Sequence, residues 1–274
     1  MKDKEFELKE KLSEIKNNKY LLPNGEEHFL LALEMMDNIG SLDSELRDEL
    51  IYEVLFHWIM EKKLNSEELK KLLAISMDNE HVFYKLYEAD EDAVFKRTFS
   101  VLIVALILYK HREEEFIEND TLYDIKNKLI EYMLKEKDLR GYVEVKGWAH
   151  SAAHTADALD ELLQCSCFEK KDVIAILDTI KFKAAIGYYG YIDEEYERMA
   201  TPLESAINAK LLNNSEVIEW LKDLIMEEDN LSYIQKYHSK VNKKQFLKSL
   251  YFRLLDKEEY ENIIAEIKNI LVNL

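Results

Sequence analysis

Four residues in the segment GWAHSAAHTADALDEL (147–162) have side chains that bind metals, move protons or hold ions: His150, His154, Asp157 and Glu161. At about 100° per residue they fall within an arc of roughly 60° on a helix, a single stripe. Histidines at i and i+4 can share one metal ion, as in H-E-x-x-H helices, and a carboxylate one turn on can be a third ligand or can orient an imidazole. The candidate metal ligands are therefore His150, His154 and Asp157. The residues between the histidines are Ser-Ala-Ala, so the glutamate base of that motif is missing. The metal-free alternative uses the same candidate catalytic residues: Asp157 fixes the tautomer of His154, which serves as general base. That pairing predicts a His154 pKa above the ordinary value, because a neighbouring carboxylate favours the imidazolium, with Glu161 adding to the effect. His57, in VLFHWI, is available as a third imidazole. The plainer readings are a solvated polar face, or histidines satisfied beneath a covering helix.

Just upstream, Arg140, Gly141 and Gly147 lead into the N-terminus of this helix. Free backbone N–H groups beside a guanidinium suit an anionic ligand group; otherwise Arg140 pairs with Glu136 or Asp138. A ligand site would then comprise Arg140, Gly147, Trp148, His150, His154, Asp157 and Glu161. A purely structural role is the third possibility, in which the segment stitches the 141–147 loop into the fold.

These residues need elements to hold them. The opposite face of the motif helix, read as 148–164, carries Trp148, Ala152, Thr155, Ala156, Leu159, Leu162 and Leu163, so that face meets the core and the stripe looks outward. Apolar residues recur at three and four almost throughout the chain. About twelve helices follow, among them a buried one at 90–109 containing VLIVALILY, and later ones at 170–186, 192–211, 215–227, 231–237, 243–255 and 258–271. Only six glycines and two prolines interrupt 274 residues, too few for the turns of a sheet protein. The fold class is all-α, with antiparallel amphipathic helices forming either an α-solenoid of HEAT-like pairs or a compact helical array. No repeat or linker divides the chain, so 1–274 reads as one domain.

The net charge is −18. Phosphate-rich partners need a basic footprint, and no Lys/Arg cluster interleaved with aromatics stands out. Nucleic acid and anionic membranes are therefore not expected partners; a protein or a small molecule is. Four of the six arginines (Arg47, Arg97, Arg140, Arg198) lie in or beside apolar segments, where a guanidinium holds a carboxylate or an anion. Cys165 and Cys167 form a lone C-x-C, read as two reduced, partly buried thiols of a cytoplasmic protein. The charged N-terminus lacks a signal peptide's apolar centre, and the longest apolar run, nine residues, is far short of a membrane span.

EKDLRGYVEVKGWAHSAAHTADALDEL resembles the signature of a bacterial family known as domain of unknown function 2785, and NIGSLDSELRDELIY, FKRTFSVLIVALIL and YERMA are similar to its other blocks, in the same order over about 40–200. The resemblance implies a cytoplasmic bacterial protein of helical-repeat type. It implies no activity, so no site residue is carried over from it. The residues themselves favour a ligand- or protein-binding module with a His/Asp-lined groove. The alternative is a hydrolase, either metal-assisted or using a His/Asp pair.

Overall fold

Helix starts along this chain are written in short polar signals. Asn65, Asn213 and Ser232 each accept backbone N–H groups of the following turn, while Glu68, Glu216 and Gln235 reach back to the capping residue's own N–H. These reciprocal bonds satisfy donors that a helix N-terminus leaves free. The computed structural model describes residues 2–23, 25–226 and 230–274. In order, its helices are α1 Lys2–Asn17, α2 His28–Asp37, a π-helical stretch Glu45–Tyr52 that runs directly into α3 Glu53–Met60, α4 Ser66–Ser76, α5 Ala93–Glu113, α6 Asn119–Lys135, α7 Ser151–Leu163, α8 Lys170–Ala184, α9 Glu195–Asn208, α10 Asn214–Leu224, α11 Tyr233–Leu254 and α12 Glu261–Asn273. The sheet content is one pair of two-residue antiparallel strands, β1 Tyr142–Val143 and β2 Gly147–Trp148.

The fold is an all-α helical array. Helix α7 sits at its centre, against α5, α6, α8 and α9, and α3, α5, α7, α9 and α11 pack one against the next. Apolar burial is continuous from Leu8 to Ile270. Helix α5 is enclosed almost all round, with Val101, Ile103, Val104, Ile107 and Leu108 fully buried; between Arg97 and His111 only Tyr109 surfaces. No helix among the described residues is long and apolar enough to cross a membrane.

Some expected boundaries move. Trp148 belongs to β2, and α7 begins three residues later. The segments 231–237 and 243–255 are one continuous helix, α11. The expected helix 215–227 ends at Leu224, and its last expected residue, Glu227, lies outside the described residues.

Close approach of the chain to neighbouring side chains holds the β1–β2 hairpin. A Cβ on Gly141 would collide with the Asp193 carboxylate, which accepts the Tyr142 N–H at 3.0 Å. Gly147 has φ +78°, and a Cβ there would lie 2.8 Å from both Ser44 and Asp48. Both conditions favour glycine.

Candidate functional site

Helix α7 presents small residues to its neighbours. Ala152, Ala153, Ala156 and Ala158 are all buried, so adjacent helices come close on several sides and little outward face remains. This is why the expected stripe does not look out as a unit. His154 is turned in against α5: its Nδ1 lies 2.8 Å from Thr98 Oγ1, and its ring meets Phe99 edge-on at 5.6 Å. Burial, reinforced by the Arg198, His150 and Arg47 charges, pushes its pKa well below the ordinary histidine value. The expected upward shift from Asp157 is thereby reversed.

Asp157 is engaged elsewhere. Arg198 of α9 grips it with two bonds, Nε to Oδ1 at 2.7 Å and NH2 to Oδ2. Burial raises the Asp157 pKa against the lowering effect of that guanidinium. Glu161 pairs with Arg112 from the last turn of α5, and Arg112 also reaches Gln164 Oε1 at 2.7 Å. Asp157, Asp160, Glu161 and Arg198 form the polar wall of an open cleft of about 440 Å³ between α3, α5, α7 and α9. Its apolar wall is Tyr52, Phe56, Met60, Leu102, Ala105, Leu106 and Tyr109. Tyr52 is the last residue of the π-helical stretch, and irregular helix turns of this type frequently sit at functional sites.

His150 faces a different partner. It caps α7 in the left-handed conformation, φ +48°, a costly backbone for a residue with a Cβ. Its ring stacks on Trp148, centroids 4.3 Å apart. Its Nε2 lies 3.7 Å from Glu195 Oε1, and neither atom has a hydrogen-bond partner among the described residues. Glu195, first residue of α9, is fully buried; its other oxygen accepts the Asp193 N–H at 3.0 Å. Burial, chiefly, lowers the His150 pKa and raises that of Glu195. Sequence reasoning missed Glu195. The available signal was its spacing from Arg198 in EYER: three residues apart on one helix, they answer His150 and Asp157 across the helix pair.

The remaining candidates are engaged in structure. Arg140 pairs with Asp138 (Nε–Oδ1 2.9 Å, NH2–Oδ2 2.6 Å) and donates to the Glu91 carbonyl at 2.5 Å. Its guanidinium is thus turned to a carboxylate of its own loop. Trp148 is 40% exposed and its backbone N–H bonds Asp48. His57 stacks on Tyr20 at 3.6 Å and contacts Glu61, away from α7. The other interior arginines are also paired. Arg97 makes a buried two-bond pair with Glu136 at 2.6 and 3.0 Å. Arg47, fully buried, contacts Asp48 at 2.8 Å, donates to the Ser41 and Lys146 carbonyls, and lies over the Phe95 and Phe99 rings. Cys165 and Cys167 are free thiols, and burial pushes Cys165 up to about 12. Among the described residues no three His, Cys, Asp or Glu side chains are disposed to hold a metal ion. The His150 and His154 rings meet edge-on, centroids 5.8 Å apart, but Thr98 holds the His154 imidazole and Arg198 the Asp157 carboxylate.

With that geometry in place, comparison with known proteins identifies a family described as "Protein of unknown function (DUF2785)", matching residues 82–252. The chain belongs to this family. The DUF2785 match runs from the turns before α5 to the end of α11 and takes in α7, α9 and both of their pairings; the block NIGSLDSELRDELIY, at 38–52, lies outside it. No curated protein and no solved structure matches the chain.

Proposed function

We propose that this protein is a cytoplasmic helical-repeat binding module whose ligand lies in the cleft between α3, α5, α7 and α9. The observation that carries the reading is the cleft's two-sided chemistry. One wall is aromatic and aliphatic, and the other holds Asp157, Asp160, Glu161 and Arg198. Ligand sites combine a mostly apolar lining with a few placed polar groups in this way. The ligand, a small molecule or a side chain of a partner protein, sets an apolar body against Phe56, Leu106 and Tyr109 and directs a polar end to the ion-paired wall. The successive packing of α3, α5, α7, α9 and α11 supports the repeat reading, and the two free thiols suit a reducing compartment. A fragment screen observed through the methyl groups of Met60, Leu102 and Leu106 tests the site. Hits should shift those three signals and be lost in Ala105→Trp, which fills the cleft. Fragments that bind only elsewhere, or that bind Ala105→Trp equally well, would sink the reading.

A second reading, hydrolysis by a metal-free acid–base pair, is favoured by one observation: the facing, unbonded Nε2 of His150 and Oε1 of Glu195. A neutral imidazole beside a carboxyl with a raised pKa can accept and return a proton. This reading expects ester or phosphoester turnover that falls by about 100-fold or more in both His150→Gln and Glu195→Gln. Turnover unaffected by either change would remove it.

A further inference from the structure

Helix α11 carries a charge pattern opposite to that of the molecule. Between Leu231 and Leu255 there are six Lys or Arg and no Asp or Glu, in a chain of net charge −18. Divided into two short helices, this segment shows no basic–aromatic cluster. As one 22-residue helix it shows one clearly: Tyr233, Tyr237, Lys240, Lys244 and Lys248 fall within roughly 80° of arc, with Lys236 on the flank. Tyr233 is 86% and Tyr237 55% exposed. Lys236, Lys240 and Lys248 are exposed as well. Among the described residues no carboxylate pairs with any of these four lysines; the nearest to a partner is Lys248, whose Nζ meets Gln245 Oε1 at 3.1 Å. Elsewhere the pattern differs, as Lys9, Lys16, Lys62, Lys70 and Lys170 each hold a carboxylate. The stripe also opens into a groove of about 420 Å³, bordered by Tyr233, Lys236, Tyr237 and Lys240 on α11 and by Asn273 and Leu274 at the end of α12.

We propose that this face docks a short, extended acidic segment of another protein, with carboxylates at alternate positions and an aromatic residue at one end. Lys240, Lys244 and Lys248 are one i,i+4 step apart, about 6 Å along the helix axis. Alternate side chains of an extended strand are about 6.6 Å apart on one face, so successive carboxylates meet successive ammonium groups. The aromatic end enters the groove, where the two tyrosine rings offer flat apolar faces. Charge favours a short segment over a larger polyanion. At physiological ionic strength fields decay over about 8 Å, so a short segment on the stripe senses its four lysines most strongly. A bilayer or a nucleic acid would extend past them over a molecule whose net charge is −18.

The test uses the full chain and a fluorescein-labelled peptide, FESESESE, with FEEEESSS as the same composition in the wrong spacing. Fluorescence anisotropy should show saturable binding of FESESESE, weakened by added salt. It should be at least about tenfold weaker for FEEEESSS and for the variant combining Lys240→Glu, Lys244→Glu and Lys248→Glu. These positions are on the surface, and an unchanged melting temperature verifies that the variant is folded. Tyr237→Ala should weaken FESESESE without changing the salt dependence. Equal binding of the two peptides, or binding indifferent to the lysine changes, overturns the proposal. So does a stronger lysine-dependent affinity for oligouridine or for phosphatidylserine vesicles, or lysine-dependent self-association in analytical ultracentrifugation.

Discussion

His154 shows how one side chain's surroundings reverse its expected chemistry. A carboxylate one turn away favours a charged imidazole, but Asp157 spends both oxygens on Arg198, and His154 is closed in by Thr98 and Phe99. Burial therefore dominates, and the folded pKa lies below the unfolded one. The sign follows: below the unfolded value of about 6.5 the unfolded chain binds the proton and the folded one does not. The stability this histidine contributes is full above about pH 6.5 and declines as pH falls toward the folded pKa. The His154 ring signals in nuclear magnetic resonance should stay constant from pH 8 to near 6 and change little in Asp157→Asn; a midpoint at or above the ordinary value would show that the carboxylate controls the ring. Arg97 and Glu136 make a second residue-scale case. Both side chains are almost wholly enclosed, and Tyr132 adds a bond to Glu136 Oε2 at 3.0 Å. Arg97→Met strands a buried carboxylate and should cost about 3–5 kcal/mol in urea denaturation. A loss under 1 kcal/mol would mean that water reaches the pair.

At the scale of elements, the β1–β2 hairpin is positioned by the π-helical stretch it crosses. Gly147 lies against Ser44 and Asp48 with a positive φ, so Gly147→Ala should lower stability by about 1–3 kcal/mol while far-ultraviolet circular dichroism stays helical. An unchanged melting temperature would show that the hairpin can lift away. Asp48, between Arg47 and the Trp148 N–H, is raised to about 6, mainly by burial. An acid with a raised folded pKa contributes stability below its unfolded value, here 3.8, and loses it as pH rises through about 6. Relative to wild type, Asp48→Asn should therefore become more favourable between pH 4 and 6. A difference that stays flat with pH would mean that Asp48 titrates normally.

Across the whole molecule, enclosure is greatest along α5, where the residues of VLIVALILY up to Leu108 are buried among surrounding helices. Amides of 101–108 should exchange with solvent only by global unfolding, and so most slowly in the chain. Exchange there as fast as in α1 would show that the array opens between α4 and α6. The same stacking explains the two surfaces proposed for recognition. Where α3, α5, α7 and α9 meet, a two-faced cleft results; where the array ends at α11 and α12, a lysine–tyrosine face has no further helix of the described chain to cover it.

Much of this was legible in the residues alone. Few glycines and prolines and apolar spacing of three and four specify helices, because those are local properties of the backbone and of one helix face. The buried character of VLIVALILY and the pairing of Arg140 with Asp138, one of two alternatives, were likewise within reach of the sequence; the steric need for Gly141 and Gly147 was not, because it arises from Asp193, Asp48 and Ser44 far along the chain. The division of the stripe was not. His150, His154, Asp157 and Glu161 share one side of the motif segment, yet they divide between two elements: His150 and Asp157 meet Glu195 and Arg198 on α9, and His154 and Glu161 meet Thr98 and Arg112 on α5. Which partner a side chain meets depends on how helices far apart in sequence are set against each other. That setting follows from the fit of alanine-lined surfaces such as that of α7, which helical periodicity does not encode. The α11 stripe was hidden for a related reason: its residues align only if the helix continues through 238–242, where Ser239 and Asn242 are held by bonds to Ala185, Ile186 and Tyr189 of the turn after α8.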